Sequence, residues 1–399
     1  MRDPIAVCHV ITQLELGGAQ ENTLYTVSHL HPRFRARLVC GAGGLLDREA
    51  RDENGVSTTF LPALVRPIRP GRDLAAVAQL TRLFRKTRPV IVHTHSSKAG
   101  ILGRLAARLA GVPIVVHTIH GFGWNVRQSV FTRVLFRGLE RFASRLSTHV
   151  VAVSRTDLEN GTRLGVIPPG RASLIRSGFP VALFEAAARG KDDARARLRR
   201  EIGAPDGTPV VGMVACLKPQ KDPLTFVEAA ARVAAAIPEA HFVLAGDGDL
   251  RGAVEARARA RGLEGRFHLL GWRRDVPRIM AGLDLFMLTS LWEGLPKVIP
   301  QAIAVGLPVV ATAVDGTGEI LEDAVNGFVC PPGDAAGLAE RAVRLLREPG
   351  LGEKLAGRAR SILPEFEIDG MVRAQEALYD RLLREAGPAA CFELQELSG

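Results

Sequence analysis

Three stretches of the chain bring together residue types that can hold an anion and a polyol. Cys216-Leu217-Lys218-Pro219-Gln220-Lys221-Asp222-Pro223 follows a short apolar run and puts two lysines in one loop. Lysine is a compact cation suited to phosphate oxygens, although loop lysines are also commonly no more than solvated. Leu288-Thr289-Ser290-Leu291-Trp292-Glu293-Gly294-Leu295-Pro296-Lys297 leaves another apolar run, turns at Gly294 and predicts a helix starting near Pro296. Amides at such a start, Gly294 and Leu295 among them, suit a diphosphate. Glu293, just outside the helix, can accept hydrogen bonds from sugar hydroxyls, and Gln301 follows on the inward face. Near the N-terminus, Gly17-Gly18 lies between a strand and a helix, where backbone N–H groups can approach an anion or the pair can simply make a tight turn. It is not a GxGxxG dinucleotide fingerprint.

His93, His95, His117 and His120 gather at two strand ends and can be read as metal ligands. No carboxylate spacing completes such a set, so the reading is no metal, with His120 as a positioned polar group. Arg133, Arg137, Arg141 and Arg145 recur every four residues and predict one basic stripe on a helix. Phe131, Leu135, Phe136, Leu139, Phe142 and Leu146 supply its apolar faces, and Trp124 precedes it. The pattern fits either the surface of an anionic membrane or a solvated face over an ordinary core helix.

The elements that must position these residues alternate. β-rich runs at Ile5–Ile11, Arg37–Cys40, Val90–His95, Ile114–Thr118 and Val150–Ser154 are separated by amphipathic stretches such as Ser97–Ala110, with Ser96 or Ser97 as its N-cap. After a polar passage between Phe184 and Pro209 the alternation restarts, with strands at Pro209–Val214, His241–Ala245, Phe267–Leu270, Leu283–Leu288, Pro308–Ala311 and Phe328–Cys330. Two α/β halves with parallel sheets follow, and ligands are sought beyond the carboxyl ends of the strands, across a cleft between the halves. Met371–Glu385 carries Val372, Leu378, Tyr379 and Leu382 at helical spacing, and the residues after Pro388 read as frayed.

With 399 residues, 47% of them hydrophobic and 24% charged, the chain is globular and long enough for two domains. Asp3 and Pro4 interrupt the start of a short apolar stretch that does not suit a secretory signal, and no apolar run suffices to cross a bilayer. A cytoplasmic protein is expected, with a peripheral place on the inner face of the plasma membrane left open. Cys8, Cys40, Cys216, Cys330 and Cys391 are scattered and read as reduced thiols. The net charge of +10 favours an anionic partner; no aromatic-basic platform accompanies it, which argues against nucleic acid.

Taken together, these residues resemble the GT4 family of retaining glycosyltransferases, also called glycosyl transferases group 1. The family pattern of a glutamate, seven residues and a second glutamate, with Gly-Leu-Pro after the first, reads here Glu293-Gly294-Leu295-Pro296 and ends at Gln301. The family's Arg-Leu-x-x-x-Lys segment reads Cys216-Leu217-Lys218-Pro219-Gln220-Lys221. His93 to Arg104, followed by His117-Thr118-Ile119-His120-Gly121-Phe122, is similar to the branch that builds bacterial capsular polysaccharide and exopolysaccharide chains.

The resemblance implies the GT-B architecture of two Rossmann-like domains facing a cleft. An acceptor-side domain would span 1–180 and a donor domain 181–367, with a C-terminal helix at about 368–387 packing back on the first. It implies that Lys221 binds the donor phosphates, that the Gly294–Pro296 turn receives the diphosphate, that Glu293 contacts the transferred sugar, that Gln301 contacts the ribose and that His120 sits beside the anomeric centre. Gly17 and Gly18 would close over the pyrophosphate. Two departures stand out: Cys216 for the family arginine, which Lys218 can replace as a cation, and Gln301 for the second glutamate, which loses charge assistance. The expected reaction moves a hexose from a nucleotide diphosphate, UDP favoured, with retention and without a metal or other cofactor. The expected acceptor is a saccharide linked to undecaprenyl diphosphate, with Trp124 and the four arginines facing an anionic membrane. A sugar-nucleotide epimerase of the same architecture and a non-catalytic polysaccharide-assembly subunit are the alternatives.

Overall fold

The computed structural model describes residues 4–52, 56–124 and 127–387, and the chain divides into two compact units, Met1–Gly178 with Ile368–Gly399, and Phe179–Glu367. The first holds a seven-stranded parallel sheet: β1 (Ile5–Gln13), β2 (Phe34–Gly41), β3 (Ser57–Phe60), β4 (Ile91–His95), β5 (Ile114–Ile119), β6 (His149–Ala152) and β7 (Ala172–Leu174), in the order β3-β2-β1-β4-β5-β6-β7. Its central strands are buried on both faces, which is why they read as near-continuous apolar runs. β3 and β7 were not expected. Both are short edge strands of half-buried, partly polar residues, Ser-Thr-Thr-Phe and Ala-Ser-Leu, which carry little apolar signal.

Strand register sorts the side chains between the two faces. His9 pairs with His93 across β1 and β4, and His95 pairs with Thr118 across β4 and β5, so His9, His93, His95 and Thr118 share one face. Helix Ile368–Ala386 covers that face, packing Met371, Val372, Leu378, Tyr379 and Leu382 on Val7, Ile91, Ile114 and Val116. The opposite face lies under helices Pro70–Thr87 and Ser97–Leu109. The second of these approaches closely because it is glycine at two positions. A Cβ on Gly100 would lie 2.4 Å from His117 Cε1, and one on Gly103 would lie 2.8 Å from Thr94 Cγ2.

The second unit repeats the plan with six parallel strands: β8 (Val210–Val214), β9 (His241–Ala245), β10 (Phe267–Gly271), β11 (Leu285–Leu288), β12 (Val309–Thr312) and β13 (Phe328–Cys330), ordered β10-β9-β8-β11-β12-β13. Each sheet reverses its winding direction once, between β1 and β4 in the first and between β8 and β11 in the second. At such a switch point the two neighbouring loops diverge to opposite sides of the sheet and leave a crevice at the strands' carboxyl ends. The loops singled out above follow these strands. Cys391 and the segment after Pro388 lie outside the described residues, among which Cys8, Cys40 and Cys330 are free thiols.

Candidate active site

In the second unit, β8 leads into a 3-10 turn at Pro219–Lys221, with Lys218 at its N-cap, and β11 leads into the Thr289–Pro296 stretch. The two loops are tied at the switch point. Thr289 Oγ1 donates to the carbonyls of Lys221 and Asp222, the Leu291 N–H donates to the Gln220 carbonyl at 2.8 Å, and Gln220 Nε2 donates to the Trp292 carbonyl at 3.1 Å. This bracing brings the Lys221 ammonium onto Glu293 Oε1, the same oxygen that accepts a hydrogen bond from Ser290 Oγ at 2.6 Å. Glu293 is buried, whereas the Lys221 side chain keeps 21% of its surface exposed.

A third loop supports the carboxylate from behind. After β12, Asp315 accepts the Glu293 N–H at 2.8 Å, with its own backbone in the left-handed region at φ 34°. Burial pushes the Asp315 carboxyl up from its ordinary value, the hydrogen bond from the Glu293 N–H opposes this, and the Glu293 charge adds to it. The Gly316 N–H donates to the Gly294 carbonyl at 3.2 Å, and a Cβ at Gly316 would lie 2.3 Å from that oxygen. Only a glycine lets the two turns meet.

The helix expected from Pro296 starts later, over Val298–Ala304. Its N-cap is Lys297, so Gly294, Leu295 and Pro296 form a turn ahead of the helix and their amides are not its first-turn donors. Leu295 precedes a proline, which disfavours the helical region at that residue and so delays the start of the helix. Gln301 is buried within the helix, its N–H bonded to the Lys297 carbonyl.

In the first unit, Gly17 caps helix Gly18–His29 in an extended conformation, φ −177°. Ser96 occupies the N-cap position of helix Ser97–Leu109 but makes no side-chain cap. Its φ of 61° with ψ 153° is a region that non-glycine residues rarely enter. Its Oγ instead bonds Thr12 Oγ1 at 2.8 Å, joining the loops after β1 and β4 at the first switch point. A cavity beside this junction is lined by Ser96, Ser97, His117, His120, Phe122 and Glu140. Arg104, fully buried, anchors Glu140 there through Nη2 at 2.5 Å and donates its Nε–H to the Gly100 carbonyl. Trp124 stacks on Phe122 with ring centroids 4.2 Å apart.

The histidines expected as one group divide between the faces. His117 lies on the helix Ser97–Leu109 side, bonded to Thr94, while His9, His93 and His95 lie together on the other. Among the described residues, ring nitrogens of His9, His93 and His95 lie within 4.8 Å of one another. Burial holds His9 at about 3 and drives His93, His95 and His117 well below the ordinary imidazole range. His120 meets this group through a 3.3 Å contact from its Nε2 to His95 Nδ1.

Helix Val130–Arg145, begun by a Ser129 side-chain cap, is turned the other way from an ordinary core helix. Its inward face is Glu140, Ala143 and Ser144, and its apolar residues Val130, Phe131, Val134, Leu135, Leu139 and Phe142 lie exposed, Phe131 at 78%. Arg137, Arg141 and Arg145 are exposed beside them and Arg133 is half-buried. No described helix is long and apolar enough to cross a membrane.

Ser290, Asp315, Thr12, Ser96 and Glu140 were not expected as site residues. The Asp315-Gly316 dipeptide after an apolar strand was a usable turn signal. Nothing local marks the other four, whose roles depend on which loops the sheet order makes neighbours.

Two doubly wound parallel sheets, each with one switch point and polar loops after the strands on either side of it, are the two Rossmann-like domains of the GT-B fold. Comparison with known proteins agrees: Glycosyltransferase Family 4 matches residues 16–183 and Glycosyl transferases group 1 matches residues 208–348. The chain is 34% identical over 379 residues to the Escherichia coli UDP-Gal:alpha-D-GlcNAc-diphosphoundecaprenol alpha-1,3-galactosyltransferase, covering 94% of this chain and 96% of that one. It is 27% identical over 319 residues to the N-acetyl-alpha-D-glucosaminyl L-malate synthase of Bacillus anthracis, covering 79% and 81%. The crystal structure of Anabaena HepE in complex with UDP and glucose superposes with a TM-score of 0.79 at 22% identity, over 94% of this chain and all of that one. The chain belongs to glycosyltransferase family 4.

Proposed function

We propose that this glycosyltransferase moves a hexose from a UDP-sugar to a hydroxyl of a saccharide carried on undecaprenyl diphosphate, with retention of anomeric configuration. The observation that carries the reading is the Lys221–Glu293 pair at the switch point of the second sheet, a cation and a carboxylate braced by Ser290 and Asp315. The E. coli relative, named for a UDP-Gal donor and a GlcNAc-diphosphoundecaprenol acceptor, supports both substrate classes, and HepE in complex with UDP and glucose supports the donor.

In this reading Lys221 and Lys218 hold the diphosphate together with the Gly294-Leu295-Pro296 turn. Glu293 exchanges part of its ion pair for a hydroxyl of the transferred sugar, and Gln301 meets the ribose. His120 is the first unit's catalytic group, and Gly17-Gly18 offers backbone donors to the pyrophosphate. Departure of the nucleotide develops positive charge at the anomeric carbon and negative charge on the phosphate. Lysines and backbone amides stabilise that phosphate without a divalent ion. The leaving phosphate takes the proton of the incoming hydroxyl on the face it vacates, which preserves the configuration. The exposed apolar face of helix Val130–Arg145, flanked by Arg137, Arg141 and Arg145, meets the anionic membrane in which a lipid-linked acceptor resides.

Thermal-shift measurements with UDP-, GDP- and ADP-sugars test the donor, since a ligand that binds only the folded state raises the melting temperature. A shift with UDP-sugars is expected; the absence of any shift with all three overturns the reading.

A further inference from the structure

Tyr379, on helix Ile368–Ala386, is fully buried and its hydroxyl touches two histidines, His93 Nδ1 at 2.6 Å and His9 Nε2 at 3.3 Å. From His9 the contacts continue: His9 Nδ1 to His95 Nε2 at 3.0 Å, then His95 Nδ1 to His120 Nε2 at 3.3 Å. On the other side His93 Nε2 meets Thr118 Oγ1 at 2.7 Å. Every ring nitrogen of His9, His93 and His95 is thus engaged with a neighbour in one unbranched chain from Thr118 to His120.

A neutral imidazole has one donor nitrogen and one acceptor nitrogen, so a linear chain of them admits only two arrangements, one the reverse of the other. Burial keeps His9, His93 and His95 uncharged, which removes the doubly protonated alternatives. The lengths of the two tyrosine contacts choose between the arrangements. At 2.6 Å the contact with His93 falls in the O–H donor range and short of the N–H range, so Tyr379 donates to His93 Nδ1. Its oxygen then accepts from His9 Nε2–H, His9 Nδ1 accepts from His95 Nε2–H, and His95 Nδ1 accepts from His120 Nε2–H. His93 donates its Nε2–H to Thr118 Oγ1.

We propose that Tyr379, acting through His9 and His95, is a positioning residue that fixes Nε2 as the protonated nitrogen of His120 and Nδ1 as its acceptor. The catalytic consequence rests on the role given to His120 above; the tautomer itself does not. Its position in the chain also assigns the C-terminal helix a task in the site besides covering the sheet.

Nitrogen-15 spectra of the full chain labelled at histidine read each ring's tautomer without any turnover, so they are independent of whether glycosyl transfer occurs. The expected result is a single Nε2–H tautomer for His120 in the unaltered chain. Tyr379→Phe keeps the packed ring and removes the hydroxyl, and it should turn the His120 signal into a mixture of tautomers. Thr118→Val, which removes one buried hydrogen bond beyond the tyrosine, should leave the His120 tautomer unchanged, as a merely structural role for Tyr379 would not require. Under the proposed function, Tyr379→Phe lowers kcat by about tenfold with KM for the donor unchanged. An Nδ1–H tautomer in the unaltered chain, or no change in Tyr379→Phe, overturns the proposal. So does zinc binding that shifts the His9, His93 and His95 signals together, because it makes the cluster a metal site. Single-tautomer spectra with no transferase activity would instead overturn the proposed function and leave the chain of contacts standing.

Discussion

Lys221 and Glu293 form an ion pair across the switch point of the second sheet, and the carboxylate oxygen that takes the ammonium also accepts the Ser290 hydroxyl. The pair is held by its surroundings, since Glu293 is buried and its own N–H is bonded to Asp315. Removing the lysine leaves a buried carboxylate without its cation, a costly state moderated because the lysine's side of the pair is partly open to water. Lys221→Met is expected to lower stability by about 1–3 kcal/mol and kcat/KM by about 10² or more, measured by urea denaturation and by steady-state transfer rates. Glu293→Gln should retain the fold and lose most activity.

Gly316 offers a test with no charge change. Gly316→Ala places a methyl group 2.3 Å from the Gly294 carbonyl, against backbone that cannot rotate away. The turn carrying Gly294-Leu295-Pro296 must move. UDP affinity measured by calorimetry is expected to fall by about tenfold or more, with a stability loss of about 1–3 kcal/mol. Unchanged affinity would mean that this turn does not hold the diphosphate.

Stability should depend on pH through the buried histidines. Burial lowers the protonation of His9 from 6.5 to about 3 and depresses His93, His95 and His117 strongly. Below pH 6.5 the unfolded chain binds protons that the folded chain refuses, so stability falls as pH falls and continues to fall toward 3 for His9. Each such ring contributes a slope of about 1.4 kcal/mol per pH unit. Melting temperatures recorded between pH 7.5 and 5 should decline, and His9→Gln should reduce the slope.

Much of the architecture was legible because parallel strands buried on both faces leave apolar runs, and because loops after them carry glycine, proline and lysine at recognisable spacing. The edge strands Ser57–Phe60 and Ala172–Leu174 escaped because half their surface faces away from the core and their residues are correspondingly polar. His9 escaped for a different reason. It stands within an apolar strand, and its meaning comes from its register against His93 and from Tyr379 on a helix near the other end of the chain. The arginine stripe was visible, but which way helix Val130–Arg145 turns its phenylalanines depended on Glu140 being drawn inward by Arg104.

That helix makes the membrane reading testable. Charge reversal of Arg133, Arg137, Arg141 and Arg145 together should abolish flotation with vesicles containing anionic phospholipid while leaving the melting temperature within a few degrees, because three of the four are exposed. Phe131→Ser with Phe142→Ser should weaken flotation by removing buried apolar area, about 2 kcal/mol for each side chain. Flotation unchanged in both variants would remove the membrane from the account.

A retaining transfer from a UDP-sugar is measured directly by a single reaction. The chain is incubated with UDP-galactose and a GlcNAc-diphosphoundecaprenol acceptor, and the anomeric proton of the product is read by NMR. An α-linked disaccharide, lost in Lys221→Met and Glu293→Gln, is the expected result. A β-linked product, or no product with UDP-, GDP- or ADP-sugars in turn, would contradict it.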